Sequence, residues 1–206
     1  MDLNFTEVSS LAIIDRQIAG IQATISPAQY EIVRRVVYRT ADLEYQSLVR
    51  FSEGALAKGA AALTAAIPII VDVPEVQVSI VPQLQKTFAN PVYCCTTTPN
   101  DTETSPNKAV GGLKVLASKH PNAIFIIGQD QAAMIAMVEL LNSREIEPSL
   151  AIATPPLFVS ATAKQQLRDS LIPSIYLDSA KGGSVVANAI FNSLIDLVWQ
   201  AEKKHR

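Results

Sequence analysis

Residues 122–146, NAIFIIGQDQAAMIAMVELLNSREI, decide the fold. The first part, NAIFIIG (122–128), is a continuous apolar run rich in Ile, with no polar alternation. Such a run fits a strand buried on both faces, as in a parallel sheet. The turn GQDQ then breaks the run. From 130 to 146 the apolar residues Met134, Met137, Val138 and Leu141 fall at the spacing of one helix face. A buried strand that leads through a short turn into an amphipathic helix is half of a β-α-β unit.

The same unit recurs on both sides. PIIVDV (68–73), PVYCC (91–95), SLAIAT (149–154) and PSIYLD (173–178) are further short apolar runs bounded by turn signals. Helical patterns cover 105–120, with Ser105 before Pro106 as cap and first residue, and 160–171, which opens on Ser160. A long apolar helix over 182–204 closes the chain. Three more helices precede the first run, over 7–21, 26–42 and 52–67; the second starts on Ser26–Pro27, and the third has Ser52 and Glu53 as capping residues. This alternation predicts an α/β fold: a doubly wound, parallel five-stranded sheet in three α/β/α layers, with an N-terminal helical region. A length of 206 residues suits one domain over 1–206.

Composition excludes several function classes. Apolar residues make up 49% and charged residues 17%, so a large core is available, with apolar surface left for a partner subunit or a large ligand. The net charge of −2 lacks the basic excess of a nucleic-acid binder. No apolar run reaches the roughly 18 residues of a membrane span, and MDLNFTEVSS is not a signal peptide. Cys94 and Cys95 are adjacent, which disfavours a disulfide and reads as two small buried residues at a strand end of a cytoplasmic protein. His120 precedes Pro121 at a helix end and His205 lies in the terminal tail, so no zinc site or His-based triad can be assembled.

Function in such a sheet gathers past the carboxyl ends of the strands. Five segments fall there: 72–77, the Thr-rich loop 96–107, 128–134, 154–162 and 178–184. None is a phosphate-binding loop or dinucleotide fingerprint. GQDQ and KGGS each open a helix, where backbone N–H groups either hold a carboxylate or are simply capped. Asp72 is an acid or orienting group, or else a cap for the helix after it. A further polar cluster, Tyr38, Thr40, Asp42, Glu44 and Tyr45, lies in VVYRTADLEY (36–45).

The order RRVVYRTADLEY…LVRFSEGALAKGAAAL…PIIVDVPEVQVSI, continued by IFIIGQDQAAM, PSLAIATPPLFVSATAKQQL and IYLDSAKGGSVVANAIFNSLI, resembles the precorrin-8X methylmutase family over nearly the whole chain. The resemblance implies a flavodoxin-like fold, a homodimer with its active site near the subunit interface, and no separate cofactor. It implies isomerisation in cobalamin biosynthesis: a methyl moves from C-11 to C-12 of precorrin-8 or cobalt-precorrin-8, giving hydrogenobyrinic or cobyrinic acid. Where the family reads Ile-His, this chain reads Val37-Tyr38, so the proton donor's place falls to Tyr38. A phenol's ordinary pKa is about 10 against about 6.5 for imidazole, so a donor role for Tyr38 calls for a nearby cation, and Arg34 (at i−4), Arg35 and Arg39 are close in sequence; otherwise the ring packs in the core with its hydroxyl on a polar partner. The family's Arg-Gly-Arg-Lys-Gly-Gly has become Asp178-Ser179-Ala180-Lys181-Gly182-Gly183, and Lys108 is the nearest cation where another Arg is usual. The substrate-binding residues that follow are Ser10, Arg39, Thr40, Asp72, Lys108, Gln129, Ser160, Lys181, Gly182 and Gly183. The lost cations also suit a silent paralogue that binds or assembles tetrapyrroles.

Overall fold

A computed structural model describes residues 5–99, 107–156 and 161–204. The described residues form nine α-helices and a six-stranded sheet. The helices are α1 (Phe5–Gln17), α2 (Pro27–Thr40), α3 (Tyr45–Leu48), α4 (Ala55–Thr64), α5 (Pro74–Gln85), α6 (Lys108–Lys119), α7 (Gln131–Asn142), α8 (Ala161–Asp169) and α9 (Ser184–Lys204). The strands are β1 (Val49–Phe51), β2 (Ile69–Val71), β3 (Val92–Cys94), β4 (Ile124–Ile127), β5 (Leu150–Ala153) and β6 (Ser174–Leu177).

The sheet order is β1-β6-β5-β4-β2-β3. The five predicted strands are all present and parallel. Counted alone they run 2-1-3-4-5, the flavodoxin-like order. The sixth strand is an addition: β1 pairs antiparallel with β6, Arg50 opposite Tyr176. Three residues carry too little pattern to announce a strand, and the partner lies far along the chain.

Each parallel strand sends alternate residues to opposite faces. Ile69, Val71, Ile124, Ile126, Leu150 and Ile152 join α2, α4, α5 and α9 in one core. Ile70, Phe125, Ile127, Ala151 and Ala153 join α6, α7 and α8 in the other. Both faces are covered, so the runs had to be continuously apolar, and each fully buried Ile is worth roughly 1.5–3 kcal/mol. The adjacent cysteines obey the same alternation. Cys94 enters the first core and Cys95 the second, and both are free and buried. Burial pushes the Cys95 thiol well above its ordinary range.

Local signals set some helix starts. Ser26 accepts from Gln29 N while Gln29 answers to Ser26 N, a complete capping box. Asp130 caps α7 through Ala133 N at 2.7 Å. Other starts differ from expectation. Asn107 caps α6 through Val110 N, and Ser105 and Ser160 lie outside the described residues. Ser52 does not cap α4, whose N-cap is Gly54. Its hydroxyl instead donates to Ile172 O and accepts from Ser174 N at 2.7 Å, tying the chain after β1 to β6. Helix α5 holds Pro82 inside it, which disguises it in the sequence. It forms because Val76, Ile80 and Leu84 are buried in the core it shares with α9.

Candidate active site

The sheet reverses its order between β2 and β4, and ligands of such folds bind in the crevice past the strand ends at that point. Asp72 follows β2 directly. Its side chain is fully buried, yet none of its oxygens is idle. One accepts from Val73 N at 3.0 Å, and the other from Gln129 N and Asp130 N, both at 2.7 Å. Burial raises its pKa above the usual carboxylate range, and the N–H groups of Asp130, Gln129, Gly128 and Val73 pull it back. The carboxylate therefore faces backbone rather than solvent, and the cap of α5 is Val73.

Gln129 is exposed at the mouth of this crevice, and its carboxamide has no partner among the described residues. Across from it lies the turn before α9. Gly183 N donates to Thr154 O at 2.7 Å, so the turn rests on the end of β5. A Cβ on Gly182 would lie 2.1 Å from Thr154 O, so only glycine fits. Gly183 sits at φ +124°, and a Cβ there would come 3.5 Å from Gln129 Oε1. Asp72, Gln129, Thr154, Gly182 and Gly183 are thus one constellation, and Thr154 escaped the sequence reading because it ends an apolar run.

The last turn of α2 forms the second group. Lys181 Nζ lies 2.7 Å from both Asp42 Oδ2 and Glu44 Oε2, which ties the 178–183 segment to the end of that helix. Lys181 is raised above its ordinary pKa by these carboxylates, Asp42 first. Asp42 is held low by Lys181 and by Glu44 N–H. The Asp42 contribution is therefore lost as pH falls through its depressed value, and the Lys181 contribution as pH rises through its elevated one. The tie is complete between about pH 4 and about pH 10. In a Lys181→Met variant the Asp42 carboxyl moves back up toward about 3.9, read by carboxyl-carbon NMR. An unmoved titration would show that Lys181 is not what holds it.

Tyr38 is half-buried on α2, four residues before Asp42. Its hydroxyl has no hydrogen-bond partner among the described residues, and the Arg39 guanidinium stands 5.8 Å from the ring centroid. The assisting cation expected at i−4 is engaged elsewhere: Arg34 lies 2.8 Å from Asp15 and 2.6 Å from Glu31. Thr40 donates to Val36 O and accepts from Asp42 N, which ends the helix. Ser10 donates to Thr6 O within its own helix α1. Lys108, exposed in the first turn of α6, follows Asn107, whose amide lies 3.5 Å from Asp130. Arg39 and Lys108 have no ion pair among the described residues, whereas Arg50 lies 3.8 Å from Asp178 and Lys164 donates to Ser179 O. Ser160 lies outside the described residues. His120 ends α6 and stacks on Tyr93 at 5.1 Å, away from these groups in role.

The family model for precorrin-8X methylmutase (CbiC) matches residues 6–197. The chain belongs to the precorrin-8X methylmutase family. Relatives agree along most of their length. A cobalt-precorrin-8 methylmutase of Synechocystis is 29% identical over 94% of this chain and 95% of its own. One from Methanocaldococcus jannaschii is 32% identical over 80% of this chain and 77% of its own. The crystal structure of the Thermus thermophilus precorrin-8X methylmutase superposes with a TM-score of 0.85, at 28% identity, covering 96% of this chain and 99% of that one. Among the described residues no helix is long and apolar enough to cross a membrane. Precorrin-8X methylmutases are intramolecular transferases.

Proposed function

We propose that the protein is a precorrin-8X methylmutase of cobalamin biosynthesis, moving a methyl from C-11 to C-12 of precorrin-8 or its cobalt form to give hydrogenobyrinic or cobyrinic acid. It works as a cytoplasmic homodimer of one-domain subunits. The observation that carries this reading is the family match over residues 6–197, which includes every element around the crevice. Tyr38 Oη is the proton donor: it is unpartnered among the described residues and so available to a substrate. Arg39 and Lys108 meet substrate carboxylates, Gln129 supplies a neutral amide, and Gly183, whose Cβ position meets only Gln129 Oε1, lets the ligand approach the backbone closely, while Gly182 seats the turn on Thr154 O. Thr40, Asp72 and Lys181 act from behind this set, because their polar atoms are already engaged. No geometry draws Ser10 into it.

Methyl migration conserves mass, so the test is spectroscopic. Purified protein incubated with precorrin-8, and separately with its cobalt form, gives the product chromophore, resolved by chromatography and absorption. Lack of both turnover and product binding removes the reading. Tight product binding without turnover instead supports a silent tetrapyrrole-binding paralogue, which the Tyr38 replacement and the bracketed Lys181 favour.

A further inference from the structure

We propose that Asp72 is a positioning residue, whose buried carboxylate spans the switch-point crevice and fixes the turn from which Gln129 meets the substrate. The substrate clause rests on the function proposed above; the positioning itself does not. The backbone ladder between β2 and β4 runs from Ile69 opposite Ile124 to Val71 opposite Ile126, and Asp72 N adds one last bond to Ile126 O at 3.2 Å. Beyond that point the two chains diverge toward α5 and α7. The Asp72 side chain takes over from the backbone: one of its oxygens accepts from both Gln129 N and Asp130 N. Two donors converging on one oxygen suit a carboxylate. An amide side chain would have to turn its NH2 toward Val73 N or toward these two donors.

The turn so held is also wedged from the side. A Cβ on Gly128 would come 2.9 Å from Val76 Cγ2 and 3.2 Å from both Ala187 Cβ and Ser184 Cα. Residues 128–130 are thus gripped between α5, α9 and the Asp72 carboxylate, while the Gln129 side chain alone projects toward Gly183. A rigid turn carrying one unpartnered, exposed carboxamide is a preorganised hydrogen-bonding arm. Being neutral, it contacts a carboxylate or a ring edge without adding charge beside Asp130 and the bracketed Lys181.

The test pairs Asp72→Asn with Gln129→Ala. In Asp72→Asn, hydrogen exchange of the Gln129 and Asp130 amides accelerates at least tenfold, while Ile126 and Ile127 amides stay protected. Unchanged exchange at 129 and 130 overturns the positioning, whether or not the wild type turns over precorrin-8. Gln129→Ala and Asp72→Asn each lower kcat/KM by about tenfold, and the double variant is no worse than Asp72→Asn alone. Additive losses, or an unaffected Gln129→Ala, overturn the link to substrate. Should Asp72→Asn fail to fold, Asp72→Ser carries the same exchange measurement. Absence of turnover in the wild type counts against the proposed function alone, since the exchange result stands apart from it.

Discussion

Tyr38→Phe lowers kcat by about a hundredfold or more and leaves the melting temperature within about 2 °C of wild type. The two halves of this expectation have separate physical grounds. The ring is half-buried at the end of α2 and is kept in the variant. The Arg39 guanidinium at 5.8 Å sees an aromatic face in either case. No described donor or acceptor loses a partner when the hydroxyl goes, so no buried polar group is orphaned. The protein therefore stays folded, and whatever is lost is chemistry. A positioned acid contributes about 10² to 10⁴ to a proton-transfer step, and removing its proton forfeits that factor. Tyr38→His, which places an imidazole where the sequence resemblance implies a histidine, is expected to retain turnover. Steady-state kinetics on the three proteins settle the role: unchanged kcat in Tyr38→Phe removes the phenol from proton transfer.

Gly182→Ala is the largest structural perturbation expected near the site. The new methyl would sit 2.1 Å from Thr154 O, 3.0 Å from Thr154 C and 3.1 Å from Pro155 C, all main-chain atoms. A side-chain neighbour could swing away, but here the end of β5 would have to move, along with the 2.7 Å bond from Gly183 N. Overpacking of this kind costs about 3 kcal/mol, which for a chain of this length lowers the melting temperature by about 6–12 °C. Turnover falls further than stability does, because the displaced turn carries Gly183 and the Lys181 tie. Gly112→Ala provides the comparison. Its Cβ would lie 1.9 Å from Cys95 O, an equally severe clash between α6 and the turn after β3. It should cost similar stability with a smaller loss of kcat at temperatures where both variants are folded. Calorimetry beside kinetics reads both quantities, and equal kcat losses in the two variants would contradict the placement of the 182–183 turn in the site.

The legible part of this protein is the part governed by period and by local chemistry. Continuous apolar runs bounded by turn signals and alternating with helical patterns announced five parallel strands, because both faces of the central strands β2, β4 and β5 are covered. Ser26 was readable as a cap because a cap bonds three residues away, and Asp130 resolves the open reading of GQDQ in favour of capping. Helix α5 was not, since Pro82 breaks the local rule and only packing against α9 restores it. Ser52 had the chemistry of a cap and became a cross-link to β6, 122 residues away.

The site divides along the same line. Tyr38, Gln129 and the Gly182–Gly183 turn are proposed site residues on the order of motifs. What each side chain does is decided by partners brought in from afar. Lys181 looks like a free cation until Asp42, 139 residues earlier, closes on it. Asp72 looks like a reactive acid until Gln129 and Asp130, 57 and 58 residues later, fill its second oxygen. By itself the sequence determined the layered sheet, whose strand ends carry the proposed site, and the family, because burial period and capping are local properties of the chain and the motifs run in the family's order. Only the tertiary structure decided which polar groups there remain open to a ligand, because hydrogen bonds are short and directional, and their far partners depend on how strands separated by whole helices come to lie side by side.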